Sequence, residues 1–213
     1  PSTPEATNLR TIPHMRELFG VQVGLSDHTL GIGAAVSISI VESDTKAFIL
    51  GDADAEGNLQ VTATTTLSRL TVNTGEIPID DPAITSLAIA GAASSGDVAI
   101  AGAVIVNDYD FWTHAYIGDG AEINQGAASP GFVKVQAVDN TTITSIAGSL
   151  GLTTGSAGVG AGLDLLLLDK DTRAYIGSGA QVDASGAVTV KAESDETILS
   201  ISANAGAGDA VGL

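Results

Sequence analysis

A repeat β-solenoid, that is, a parallel β-helix, is the all-β fold class that this sequence predicts, on three observations. The stretch DTRAYIGSGAQVDASGAVTVKA from Asp171 to Ala192 recurs upstream, its first half as WTHAYIGDGAEI from Trp112 and a shorter whole copy as SDTKAFILGDADAEGNLQVTA from Ser43. Laid alanine on alanine, the copies fall at Ala47, Ala115 and Ala174, spaced 68 and 59 residues apart. Within each copy, apolar and small or polar residues alternate with the period of two that a strand requires. Repeats of this length stack so that each buries its apolar face on the next. A period of two does not reveal pairing direction, so an antiparallel β-sandwich or strand stack is the alternative.

Residues 1–30 differ from the rest, with three of the six prolines, two of the three histidines and the only methionine. Pro13 and Gly20 bracket a short helix expected near Met15. The segment reads as an N-terminal cap, linker or docking arm, since an open solenoid end exposes a strand edge that has to be covered.

The repeat array occupies residues 31–213 as a partial repeat, two full repeats and a partial repeat. GIGAAVSISIVESDTKAFI from Gly31 aligns with GVGAGLDLLLLDKDTRAYI, so that Val36, Ile38 and Ile40 correspond to Leu163, Leu165 and Leu167, with Val104 and Val106 in the middle copy. These are expected to form one inward apolar set. A second strand (Thr45, Thr113 and Thr172 onward) places Phe48, Tyr116 and Tyr175 in an aromatic ladder. A third ends at Ala63, Ala137 and Ala192, and a fourth begins near Ile84, Ile143 and Ile198, giving four strands per repeat. Short Gly, Asp, Asn and Ser stretches form the corners.

Two insertions break the register, around NQGAASPGF in the middle copy and between Ala63 and Ile84 in the first. Such insertions become surface loops. The array opens and stops in mid-repeat, which an excerpt from a longer array explains; head-to-tail completion between copies is the alternative.

Composition bounds the function. With 44% hydrophobic but only 4% aromatic residues, and 26 glycines, the core is built from Ala, Val, Ile and Leu and suits closely stacked strands. The formal charge of −17, with eight Lys and Arg that do not cluster, argues against nucleic acid as a partner. No cysteine is present, which excludes disulfides, Cys-ligated zinc and thiol catalysis. No apolar run reaches membrane-spanning length and the N-terminus has no signal-peptide pattern. For an exported protein, the signal is removed or lies outside this chain.

Candidate chemistry is sparse. Asp52, Asp54 and Glu56 in GDADAEGN match the start of a calcium loop, although Ala63 stands where a bidentate Glu is needed; they are the candidate metal ligands, and Ca²⁺ the one candidate ion. The repeat explains the same residues as a turn. Glu76, Asp80 and Asp81 mark a candidate binding loop in the long insertion. Tyr109 and Trp112, in the cluster DYDFW, are candidate sugar contacts. GIGAAV and GVGAGL lie inside alternating strands and read as packing glycines, not a dinucleotide site. His14, His28 and His114 have no metal-like spacing, and no Ser is marked as a nucleophile. No catalytic or cofactor-binding residue emerges, and the chain is expected not to be an enzyme.

The grammar AYIGxGAxVxAxGxVxVxA, as at Ala174 to Ala192, resembles the repeats of giant bacterial surface and secreted proteins, the filamentous-haemagglutinin-like and leukotoxin-type filamentous adhesins. The resemblance covers Gly31 to Leu213. It implies export, a β-solenoid stalk, and a role in adhesion, aggregation or matrix formation, and it carries no active-site residue onto this chain. The function expected is therefore a structural segment of a secreted or cell-surface bacterial adhesin or filament. Its expected partners are neighbouring repeats or head-to-tail copies, and cell-surface glycans. A carbohydrate-active β-helix enzyme and a calcium-stabilised carbohydrate-binding module are the alternatives.

Overall fold

Long stretches in which Ala, Gly, Ser and Thr alternate with larger side chains run as extended strands laid parallel on one another. The computed structural model describes residues 10–11, 14–18, 20–26, 30–67, 72–73, 78–79, 85–209 and 211–212, with side-chain environments for 30–67 and 85–209. The first strands are β1 (Arg10–Thr11), β2 (His14–Leu18), β3 (Gly20–Ser26), β4 (Leu30–Ile49), β5 (Gly57–Leu67), β6 (Val72–Asn73) and β7 (Pro78–Ile79). There follow β8 (Ser86–Ser94), β9 (Val98–Ile117), β10 (Glu122–Ile123), β11 (Pro130–Thr153), β12 (Ala157–Ile176), β13 (Gln181–Val182), β14 (Val188–Ala207) and β15 (Val211–Gly212). The described residues contain no helix, so none is long and apolar enough to cross a membrane.

One sheet stacks β4, β9, β12 and β15 in parallel, and Ala47, Ala115 and Ala174 fall in a single row. A second stacks β3, β8, β11 and β14, with β5 beside β8 on the other half of β11. Ala63 and Ala192 both pair with Ala137 there, in the register that the repeats predict. Between the sheets, β10 pairs parallel with β13. At the corners, Gly120 and Gly179 occupy the left-handed region (φ +68° and +72°), which accounts for the second glycine of YIGxGA.

Three expectations are corrected. In the middle and last repeats the four expected strands merge into two long ones, because the joining segments around residues 110–112, 138–142 and their counterparts carry no Gly or Pro to interrupt the ladder; in the first repeat β4 is likewise continuous, but β5 and β8 stay separate. The short helix expected near Met15 is instead β2, which pairs antiparallel with β4 from His14↔Glu42 to Leu18↔Ile38; a ladder of backbone bonds outweighs a weak helix preference.

The third correction concerns which side faces in. Val36, Ile38, Ile40, Leu163, Leu165 and Leu167 point outward and are exposed, and Val104 and Val106 share their face. The buried positions are Ala35, Ser37 and Ser39 on β4 and Ala99, Ala101, Ala103 and Ile105 on β9. They pack against Ala88, Ala90, Ala92 and Ala147 of the second sheet. At the glycines the two sheets approach so closely that no side chain fits: a Cβ at Gly33 would lie 1.9 Å from the Gly91 carbonyl oxygen, and one at Gly158 would lie 2.3 Å from that of Ala207. Both glycines belong to the GxG segments, which are packing glycines as expected. The other half of each repeat holds an aliphatic core of Ile49, Leu59, Val61, Ile117, Ile123, Val133 and Val135.

Candidate functional site

Parallel, in-register stacking places chemically matched side chains in rows across the outer face of β4, β9 and β12. Glu42, Asp110 and Asp169 form a row of carboxylates, with Asp108 two positions before Asp110. Neighbouring strands lie ~4.8 Å apart, so like charges repel along this row. Desolvation, and then Asp108, Asp169 and Glu42, raise the Asp110 carboxyl above its ordinary range.

The next row is Asp44, Trp112 and Asp171, followed by Lys46, His114 and Arg173 and then by Phe48, Tyr116 and Tyr175. Adjacent rows pair: Lys46 Nζ is 2.6 Å from Asp44, Arg173 Nε is 2.6 Å from Asp171, and His114 Nε2 is 3.3 Å from Asp171. Arg173 thus finds its acidic partner two positions back on the same strand. The aromatic row stacks with ring centroids 5.3 and 4.9 Å apart.

The predicted site residues that the structure describes do not converge. Tyr109 lies inside the stack, 1% exposed, and its hydroxyl contacts Ser39 and Asn107, so it is not a sugar contact. Its parity on β9 is that of the buried Ala115, whereas Trp112 has the opposite parity and is exposed. Asp54 and Glu56 are not assembled around an ion. The Asp54 carboxylate accepts the Gly126 amide at 3.0 Å, and that of Glu56 accepts the Ala128 and Ser129 amides at 2.9 and 3.1 Å. They tie down the inserted loop of the next repeat, while Asp52 is exposed. Among the described residues, no three His, Cys, Asp or Glu side chains are grouped to hold a metal ion. Glu76, Asp80 and Asp81 lie outside the described residues.

Two interior arrangements were not read from the sequence. Lys170 reaches Asp139 at 2.7 Å and Glu196 at 2.6 Å, while Thr113 and Thr141 donate hydroxyl hydrogen bonds to Asp139. The bond from Lys170, and then that from Ser194, hold the Glu196 carboxyl below its ordinary range. Strand parity was the available signal, since Lys170 alternates in phase with Ala174 and Ile176. In the inserted loop, Asn124 is fully buried at φ +61°. Its side chain accepts the Ala55 amide at 2.9 Å and donates to the Asp183 carbonyl at 3.0 Å, so one residue links three successive repeats.

Comparison with known proteins gives one partial likeness. Residues 1–42 match the NeuB family, whose members are sialic acid synthase-like enzymes. This match overturns the expectation that the chain is not an enzyme. It covers 42 of 213 residues, and its last part, residues 30–42, lies in β4, in register with β9. No curated protein and no solved structure matches the chain.

Proposed function

We propose that residues 30–67 and 85–209 form a parallel β-solenoid acting as an extended scaffold, a stalk or filament segment of a secreted or cell-surface bacterial adhesin, beside whatever enzymatic role the NeuB likeness of residues 1–42 carries. One observation carries this reading. Twenty consecutive residues of β9 pair in unbroken parallel register with β4 on one side and with β12 on the other, so each coil repeats the rows of the last. A fold of this kind lengthens by adding coils and leaves its cross-section unchanged. The β1 and β2 strands, antiparallel along the β4 edge, fit a cap at the N-terminal end of the stack.

The test is to duplicate the coil formed by residues 118–176 within the full chain and to compare the two proteins by solution scattering. The solenoid reading expects a particle longer by ~4.8 Å per added coil with the same cross-section. A particle that thickens instead would sink it.

A second reading, glycan recognition by the outer face, is favoured by Trp112, an exposed indole set between Asp44 and Asp171 of the neighbouring coils. An apolar ring face flanked by carboxylates is chemistry suited to a sugar. Glycan-array binding that is lost in Trp112→Ala and retained in Trp112→Tyr would support it, and an array with no signal would dismiss it.

A further inference from the structure

We infer that the outer face of the β4–β9–β12 sheet is the docking surface for a second copy of this chain, laid face to face so that two stacks run side by side. The inference rests on the parallel stacking of these strands and not on the adhesin role.

Three features of the face carry it. First, its apolar rows are long and unbroken by charge except at one margin: Ile32, Ile100 and Val159; Val36, Val104 and Leu163; Ile38, Val106 and Leu165. A fourth row, Ile40, Asp108 and Leu167, closes it toward the carboxylates. Ile32 is 62% exposed and Leu163 58%, so these side chains stand clear of the fold instead of forming its core.

Second, the face is complementary to itself. Ala34, Gly102 and Ala161 form a trough between the first two aliphatic ridges. Two copies related by a two-fold axis along the stacking direction, passing between this trough and the Val36 ridge, seat each ridge in the other's trough coil by coil. The Ile38 row of one then meets the Ile32 row of the other. The fold itself does not require the trough to be this deep, because a Cβ at Gly102 would meet nothing nearer than the Ala161 carbonyl oxygen at 4.0 Å. The glycines between the sheets, by contrast, are held by contacts under 3 Å.

Third, the area suits association between copies. Eleven residues at ~3.3 Å along three strands ~4.8 Å apart give a footprint of about 500 Å². Standard interfaces bury ~800 Å² per partner, so three coils place the contact in the weak, concentration-dependent class. Each copy carries a formal charge of −17, and the resulting repulsion is screened by salt. Pairing through an apolar face therefore strengthens as ionic strength rises.

The test is sedimentation equilibrium of the full chain over a range of concentrations and salt, together with Gly102→Val, which fills the trough, and Leu165→Lys, which charges a ridge. The wild type is expected to dimerise, more tightly at higher salt, and each variant to raise the dissociation constant about tenfold or more. Leu165→Ile should leave it nearly unchanged, and thermal melts should show all the variants folded. A wild type that is monomeric throughout would overturn the inference, as it would if another segment of the chain covered the face. Dimers that survive both variants, or that weaken as salt rises, would overturn it by moving the contact elsewhere. So would wild-type monomers that bind phosphatidylcholine vesicles through Leu165, which would make the partner a lipid surface.

Discussion

Lys170 Nζ lies 2.7 Å from Asp139 Oδ1, an ion pair inside the stack in which the carboxylate is wholly buried and the lysine side chain is 10% exposed. Its two members come from opposite sheets, β12 and β11. Removing one member leaves the other charge without its counter-ion in a poorly hydrated place. Lys170→Met is therefore expected to destabilise the chain by ~3 kcal/mol in urea unfolding, near the low end for a broken buried pair because Thr113 and Thr141 still donate to Asp139. Lys170→Met combined with Asp139→Leu should recover much of that loss. A single variant as stable as the wild type would show that the pair is hydrated.

The carboxylate row on the outer face predicts a pH effect of definite sign. Asp110 is raised by desolvation and by Asp108, Asp169 and Glu42, so the folded chain holds this proton to higher pH than the unfolded chain does. Stability from this group is greatest at low pH and is lost as pH rises through the raised value. Asp110→Asn should therefore raise the melting temperature near pH 7, and the gain should fade toward about pH 3, where the wild-type carboxyl is itself neutral. Glu196 works in the opposite sense: its lowered value contributes stability above the ordinary carboxylate range that is lost on acidification. A gain from Asp110→Asn that stayed constant with pH would point to packing and not to charge.

At Asn124 two separable effects meet, a left-handed backbone and two side-chain hydrogen bonds to neighbouring repeats. Asn124→Gly keeps the backbone and loses the bonds, and is expected to cost roughly 1–3 kcal/mol. Asn124→Ala also forces a Cβ without a local polar partner into the left-handed region, adding ~1 kcal/mol. Chemical denaturation should rank the wild type above Asn124→Gly and Asn124→Gly above Asn124→Ala; equal stabilities for the two variants would remove the backbone from the account.

Literal repetition made the stacking register legible. The sequence copies that put Ala47, Ala115 and Ala174 together, and the aromatic row of Phe48, Tyr116 and Tyr175, coincide with the observed pairing. What did not follow was the side each residue faces. Strand alternation has two phases, and assigning the larger aliphatics inward turned Val36, Ile38 and Ile40 the wrong way. The interior there is set by backbone approach, which leaves room mainly for alanine, glycine and serine beside Ile105, so size and not hydrophobicity was the better guide. The same phase error left Tyr109 among the surface aromatics and hid Lys170, which shares the buried phase. Asn124 stands opposite Asp54 and Asp183 in the register, but it is the one asparagine among aspartates and opens the inserted loop, so repetition gave its row and not its hydrogen bonds. The residues that act across coils, Asp54 and Glu56 among them, take their roles from neighbours about seventy positions away.

The close approach of the sheets gives the last prediction, which compares two glycines of one sheet. Gly33 faces inward, and a Cβ there would stand 1.9 Å from the Gly91 carbonyl oxygen, far inside contact distance and against backbone that cannot swing aside. Gly102 faces outward with nothing nearer than 4.0 Å. Gly33→Ala must separate β4 from β8 locally, opening the seam that Ala35, Ala90 and Ala92 fill, and is expected to cost ~3 kcal/mol or to prevent folding. Gly102→Ala should be neutral or stabilising by about 0.5–1 kcal/mol, because alanine restricts the unfolded chain more than glycine does and meets no obstacle in the folded one. Thermal unfolding of both variants, at a concentration low enough to keep the chain monomeric, reads the difference directly. Near-equal effects of the two substitutions would mean that the sheets are not in contact at Gly33, and the small-residue interior would then need another cause.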